Sequence, residues 1–131
     1  MLNSVKTWVV VAAAGLVLTA CGGGSDSPKP YGAIAFNASA PSATIVSNFI
    51  SQEKANVAAV TRCGGDGCVV IQEFSGKGSC AALATGGGSA LVWGTASAAT
   101  QADAEAGALQ ACTSKGGVSC SIPASIPGKC Q

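Results

Sequence analysis

The sequence predicts an α+β domain built from two pseudo-symmetric ββαβ repeats: an antiparallel sheet with two short helices, stapled by disulfides. Three observations carry that prediction. Ser51 to Cys63, SQEKANVAAVTRC, returns at Thr100 to Cys112 as TQADAEAGALQAC. Short apolar runs with strand composition flank both copies in the same order. An even set of cysteines remains once Cys21 is set aside. With 131 residues in all, the chain has room for one small domain.

Each element follows in order. Tyr31 to Phe36 reads as a strand with Ile34 and Phe36 on one face, and Asn37 to Ser42, which includes Pro41, reads as a loose turn. Ala43 to Ile50 carries Thr44, Ile45, Val46 and Phe49, which favour a returning strand. Ser51 is placed to cap the first helix by accepting from first-turn amides. Ala55, Ala59, Val60 and Cys63 then share one face at helical spacing. That face is mostly small, which suits a helix lying close on a sheet. Gly64 to Gly67 is a turn, Cys68 to Phe74 a strand, and Gly76-Lys77-Gly78 closes it.

The second half takes the same order. Cys80 to Ala84 and Ala90 to Ala96 are strands joined by a turn at Gly86 to Ser89. Thr100 caps the second helix, whose stripe is Ala104, Ala108, Leu109 and Cys112. Asp103 and Glu105 sit near its start, where acids favour the helix dipole. Val118 to Ile122 is the last strand. Pro123 and Pro127 follow it, and proline cannot donate to a ladder, so this segment is short and at an edge, or partly irregular. Aromatic residues make up only 5% of the chain, so the core is thin and depends on backbones packed closely. Such a domain is marginal on burial alone.

The start of the chain is a targeting segment, excluded from fold reasoning. Lys6 is followed by an apolar run from Trp8 to Leu18, shorter than the ~20 residues that span a bilayer. Leu18-Thr19-Ala20-Cys21 resembles a bacterial lipobox. The resemblance implies a signal peptide over 1–20, cleavage before Cys21, and lipid on the Cys21 sulfur and its new amino group. Residues 21–30, rich in glycine, serine and proline, read as a tether, and 31–131 as a single domain. Gly22 rather than an aspartate follows the cysteine. By resemblance to lipoproteins of two-membrane bacteria, that implies an outer-membrane address facing the periplasm or the surface.

Lipid on Cys21 leaves Cys63, Cys68, Cys80, Cys112, Cys120 and Cys130, an even set that in an exported domain reads as a disulfide framework. Cys63 ends a helix and Cys68 begins the next strand; Cys112 and Cys120 stand in the same relation. The repeat therefore predicts Cys63–Cys68 and Cys112–Cys120, with Cys80–Cys130 joining the halves. A zinc site is disfavoured by the long cysteine spacings and the absence of histidine, and a redox centre by the absence of C-x-x-C.

Tyr31-Gly32-Ala33-Ile34-Ala35-Phe36, Cys80-Ala81-Ala82-Leu83-Ala84, Trp93-Gly94 and Ala108-Leu109-Gln110-Ala111-Cys112, in this order with these cysteines, resemble the bacterial family called domain of unknown function 4189. The resemblance covers the chain from Tyr31 onward. It implies an exported domain and brings no activity or catalytic residues with it. The proline-broken last strand departs from the family's pattern.

The residue inventory bounds the chemistry. Without histidine, Ser-His and Cys-His nucleophile pairs are impossible. Asp66 reads as a turn residue and Glu73 as a solvent-facing strand residue; Glu73 paired with Asp66 or with a tertiary neighbour is the candidate for a small carboxylate-dependent hydrolase. Gly76-Lys77-Gly78-Ser79 lacks the spacing of a phosphate-binding loop, and no cofactor motif is present. The six acidic residues nearly balance the seven basic ones, leaving no stripe for nucleic acid. Tyr31 and Trp93 are the candidate binding surface. The expected function is a non-catalytic binding or structural domain in the cell envelope. It would be held to the membrane through lipid on Cys21, with an envelope protein or glycan as partner. An envelope-tethered inhibitor or immunity-type protein is the alternative.

Overall fold

The computed structural model describes residues 28–131. The expected signal peptide, Cys21 and most of the tether lie outside them. The first half holds β1 (Tyr31–Asn37), β2 (Ser42–Phe49), α1 (Gln52–Cys63) and β3 (Val69–Ser75). The second holds β4 (Cys80–Gly87), β5 (Val92–Ala98), α2 (Gln101–Ser114) and β6 (Val118–Ser121), and a two-residue strand β7 (Lys129–Cys130) follows.

The strands form two antiparallel sheets where one was expected, with orders β2-β1-β3 and β5-β4-β6; β7 also pairs with β4. The reason lies in the two central strands. Side chains alternate faces along a strand, and β1 sends Ile34 and Phe36 one way, Ala33 and Ala35 the other. Ile34 and Phe36 meet Ile45, Phe74, Ala81 and Leu83 in a layer between the sheets. Ala33 and Ala35 pack with Ala55, Ala59 and Cys63 of α1. On β4, Ala81 and Leu83 enter the middle layer, while Cys80, Ala82 and Ala84 meet Ala104, Ala108 and Cys112 of α2. The stacking order is therefore α1, sheet, sheet, α2. Large side chains fill the gap between the sheets, where spacing is about 10 Å. Alanines line the helix-facing sides and let the helices come close.

α1 lies mainly over β1 and β2, and α2 over β4 and β5. β3 and β6 end the two sheet orders on the side away from the helices, and Val69 and Val118 on them are exposed. The same offset corrects the α1 stripe. Ala55, Ala59 and Cys63 are buried, but Val60 points past β1 toward β3 and stays 36% exposed. On α2, Leu109 is half-buried at the margin of its cluster.

The ends are set by short polar devices. Ser51 caps α1 by accepting from Lys54 N, and Gly64 ends it at φ 82°, a conformation that suits glycine. Thr100 accepts from Asp103 N at 3.1 Å and donates to Asp103 Oδ2 at 2.8 Å, closing the first turn of α2 from both sides. Thr100→Ala is expected to cost about 1 kcal/mol, read as a lower urea midpoint with an unchanged slope.

Three disulfides are present: Cys63–Cys68, Cys80–Cys130 and Cys112–Cys120. The first and third tie a helix C-terminus to the chain that follows it. The second lies across the β4–β7 ladder, where Cys80 pairs opposite Cys130, so it closes the second sheet and does not join the halves as expected. The prolines after β6 act as expected on that strand, which has four residues and an irregular register against β4. Among the described residues, no helix is long and apolar enough to cross a membrane.

Candidate functional site

The outer face of α1 is the best candidate for contact with another molecule. It is built by helical spacing. Ala55, Ala59 and Cys63 turn inward, so Val57, two residues from Ala55 and from Ala59, points out and is 63% exposed. Val57 and Thr61 form a ridge between two grooves. One, of about 540 Å³, has Phe49, Val57 and Ala58 among its walls, with Lys54 and Arg62. The other, of about 320 Å³, is lined by Asn56, Val57, Val60, Thr61 and Val70. Val60 and Val70 carry the apolar surface onto β3.

Charge sits at the rim of this surface. The Arg62 guanidinium carbon lies 5.7 Å from the centre of the Phe49 ring, a cation–π arrangement that holds the arginine along the groove. Lys54 lies two turns earlier, beside Glu53 in the first turn. The surface is held rigidly. Gln52 Nε2 donates to the Gly32 carbonyl and to Asn56 Oδ1, each at 2.9 Å, and Asn56 Nδ2 donates to Glu73 Oε1 at 2.6 Å. This chain bolts α1 to β1 and β3.

The second helix provides an internal comparison. Counted from the caps Ser51 and Thr100, the places of Lys54, Val57, Ala58, Thr61 and Arg62 are taken by Asp103, Ala106, Gly107, Gln110 and Ala111. The scaffold positions are alike, but the apolar and cationic side chains occur on α1.

The structure does not bring Tyr31 and Trp93 together. Tyr31 packs at the margin of the α1 layer, while Trp93 packs at the margin of the layer between the sheets. Trp93 lies 5.6 Å from Phe36 between ring centres, and Lys115 Nζ stands 4.0 Å over its ring. A half-buried indole with a cation on its face has little aromatic surface left to offer a sugar. Asp66 and Glu73 are also apart. Glu73 lies four residues beyond Val69 along β3, about 13 Å of strand, and Asp66 lies in the turn before Val69. The Asp66 carbonyl accepts from Asn37 Nδ2 at 2.9 Å, and the Glu73 carboxylate is taken by Asn56. All six cysteines from Cys63 onward are spent in disulfides.

Phe49, Val57 and Arg62 were missed by sequence reasoning. Val57 carried a signal: it is the large apolar residue of α1 that falls off the alanine stripe.

The model of the family described as domain of unknown function (DUF4189) matches residues 31–126. No curated protein and no solved structure matches the chain.

Proposed function

The chain belongs to the DUF4189 family, and from that premise we propose that it is a non-catalytic binding domain of a bacterial cell envelope. Lipid on Cys21 would hold it to the membrane, and the α1 face would receive a protein partner. One observation carries the reading: the exposed Val57 ridge, with apolar grooves on both sides and Lys54 and Arg62 at the rim. Apolar centres edged by arginine are what protein partners engage. A protein is a better candidate partner than a glycan, because the Trp93 ring, elsewhere on the domain, is occupied by Phe36 and Lys115. The separation of Asp66 from Glu73 weighs against a carboxylate hydrolase.

The test is capture of partners by the anchored protein from its own envelope, identified by mass, alongside Val57→Asp. Val57 is exposed, so the substitution is expected to leave stability within about 0.5 kcal/mol. Loss of a specific captured protein with an unchanged urea midpoint supports the reading. An unchanged set of captured proteins refutes it. Capture of an envelope toxin or hydrolase would make the role inhibitory.

A further inference from the structure

We infer that the end of the domain where β1 begins rests on the bilayer surface, with Ile50 and three lysines as its feet. The inference rests on the lipid anchor at Cys21 proposed above and adds an orientation to it.

The topology gathers one set of termini at this end. β1 begins here and β2 ends opposite it, with Tyr31 paired to Phe49. β3 ends here, with Ser75 also opposite Tyr31. β4 begins after the short turn that follows, and β7 pairs with that beginning. Gly76 N donates to the Pro30 carbonyl at 2.9 Å, and Gln131 N to the Ser79 carbonyl at 2.8 Å, so the entering chain, the β3–β4 turn and β7 are neighbours.

Two features of this end fit a lipid surface. Ile50 is the most exposed large apolar residue among those described, at 68%, and no packing accounts for it. Lys29, Lys77 and Lys129 are all exposed on the adjoining segments. Two of the acids at this end are already engaged: Asp103 accepts from Thr100, and Glu105 accepts from Gly128 N and Gln101 Nε2, while Glu53 is exposed in the first turn of α1. Lysines near an anionic leaflet each favour binding, and an apolar side chain among them enters the headgroup boundary.

The anchor's reach selects the bilayer as occupant. Cys21 precedes Tyr31 by ten residues. Fully extended, these span at most about 36 Å. β1 then carries the chain seven residues, about 23 Å, away toward the opposite end. The end bearing Ile50 is therefore the end the anchor holds nearest the membrane. In this orientation the α1 face stands sideways, open to a partner.

The test uses the mature lipidated protein in vesicles of anionic phospholipid with brominated acyl chains, which quench indole on contact. The sequence has two tryptophans, and Trp8 lies in the expected signal peptide. Trp93, near the far end of β5, is then the reference. The Ile50→Trp variant is expected to lose emission in brominated vesicles well beyond any loss in the wild type. Neutralising Lys29, Lys77 and Lys129 to serine is expected to reverse that loss, each lysine weakening surface contact by about fivefold. Raising the salt should act in the same direction. A protein that floats with the vesicles but whose Ile50→Trp emission falls no further than the wild type's overturns the orientation and leaves the anchor standing. A protein that does not float overturns the anchor and the orientation with it.

Discussion

Replacing Gly94 by alanine is expected to destabilise the domain by at least about 3 kcal/mol, at the upper end for overpacked cores. In a domain of about 100 residues this lowers Tm by roughly 12 °C or more. The cause is the closeness of α2 to β5. A Cβ on Gly94 would lie 2.2 Å from Cys112 N and 2.7 Å from both the Ala108 oxygen and the Ala111 carbonyl carbon. These are backbone atoms of the helix, not the movable tips of side chains. The helix cannot step back easily, because the Cys112–Cys120 disulfide and the Gly117 N to Cys112 O hydrogen bond hold its C-terminus. Gly116 is the control. It has φ +88° with open space around it, so alanine there meets only the left-handed backbone penalty, about 1–2 kcal/mol. Thermal and urea unfolding of the two variants would separate the effects. A Gly94→Ala protein no less stable than Gly116→Ala would show that α2 stands further from β5 than described.

The second large effect is expected from the longest disulfide loop. Cys80–Cys130 closes 50 residues of chain, Cys112–Cys120 closes 8 and Cys63–Cys68 closes 5. On loop-closure entropy, their removal costs about 4, 2.5 and 2 kcal/mol respectively. Against a typical total of about 5–15 kcal/mol, the first loss alone endangers folding. Paired alanine replacements, Cys80 with Cys130 and Cys63 with Cys68, should therefore give a clearly lower urea midpoint for the former. Equal midpoints, or the reverse order, would contradict this account.

The helices were legible because their signals are local. Ser51 and Thr100 cap them, and the small residues at four-residue spacing, Ala55, Ala59, Cys63 and Ala104, Ala108, Cys112, are the buried ones. The antiparallel strands were legible from runs such as Ile34 to Phe36 and Val69 to Phe74. The division into two sheets was not read, although β1 and β4 hold the clue. Neither strand has a charged residue, and a strand apolar on both faces is covered on both. β7 was missed because two residues have no periodicity; Lys129 and Cys130 become a strand only through pairing with β4. The α1 face was missed for a related reason. Whether Val57 and Val60 are covered depends on where the helix crosses the sheet, and that is a tertiary fact.

The β4–β7 pairing also imposes an order in time. A ribosome adds about 5–20 residues per second, so Cys80 is made several seconds before Cys130, while Cys63 and Cys68 follow each other almost at once. Through that interval Cys80 is an unclaimed thiol in a chain that is still growing, at the start of a strand whose neighbour does not yet exist. The small loops can oxidise early and locally. The bond across the β4–β7 ladder is necessarily late, and an oxidant that acted on Cys80 too soon would have only wrong partners to give it.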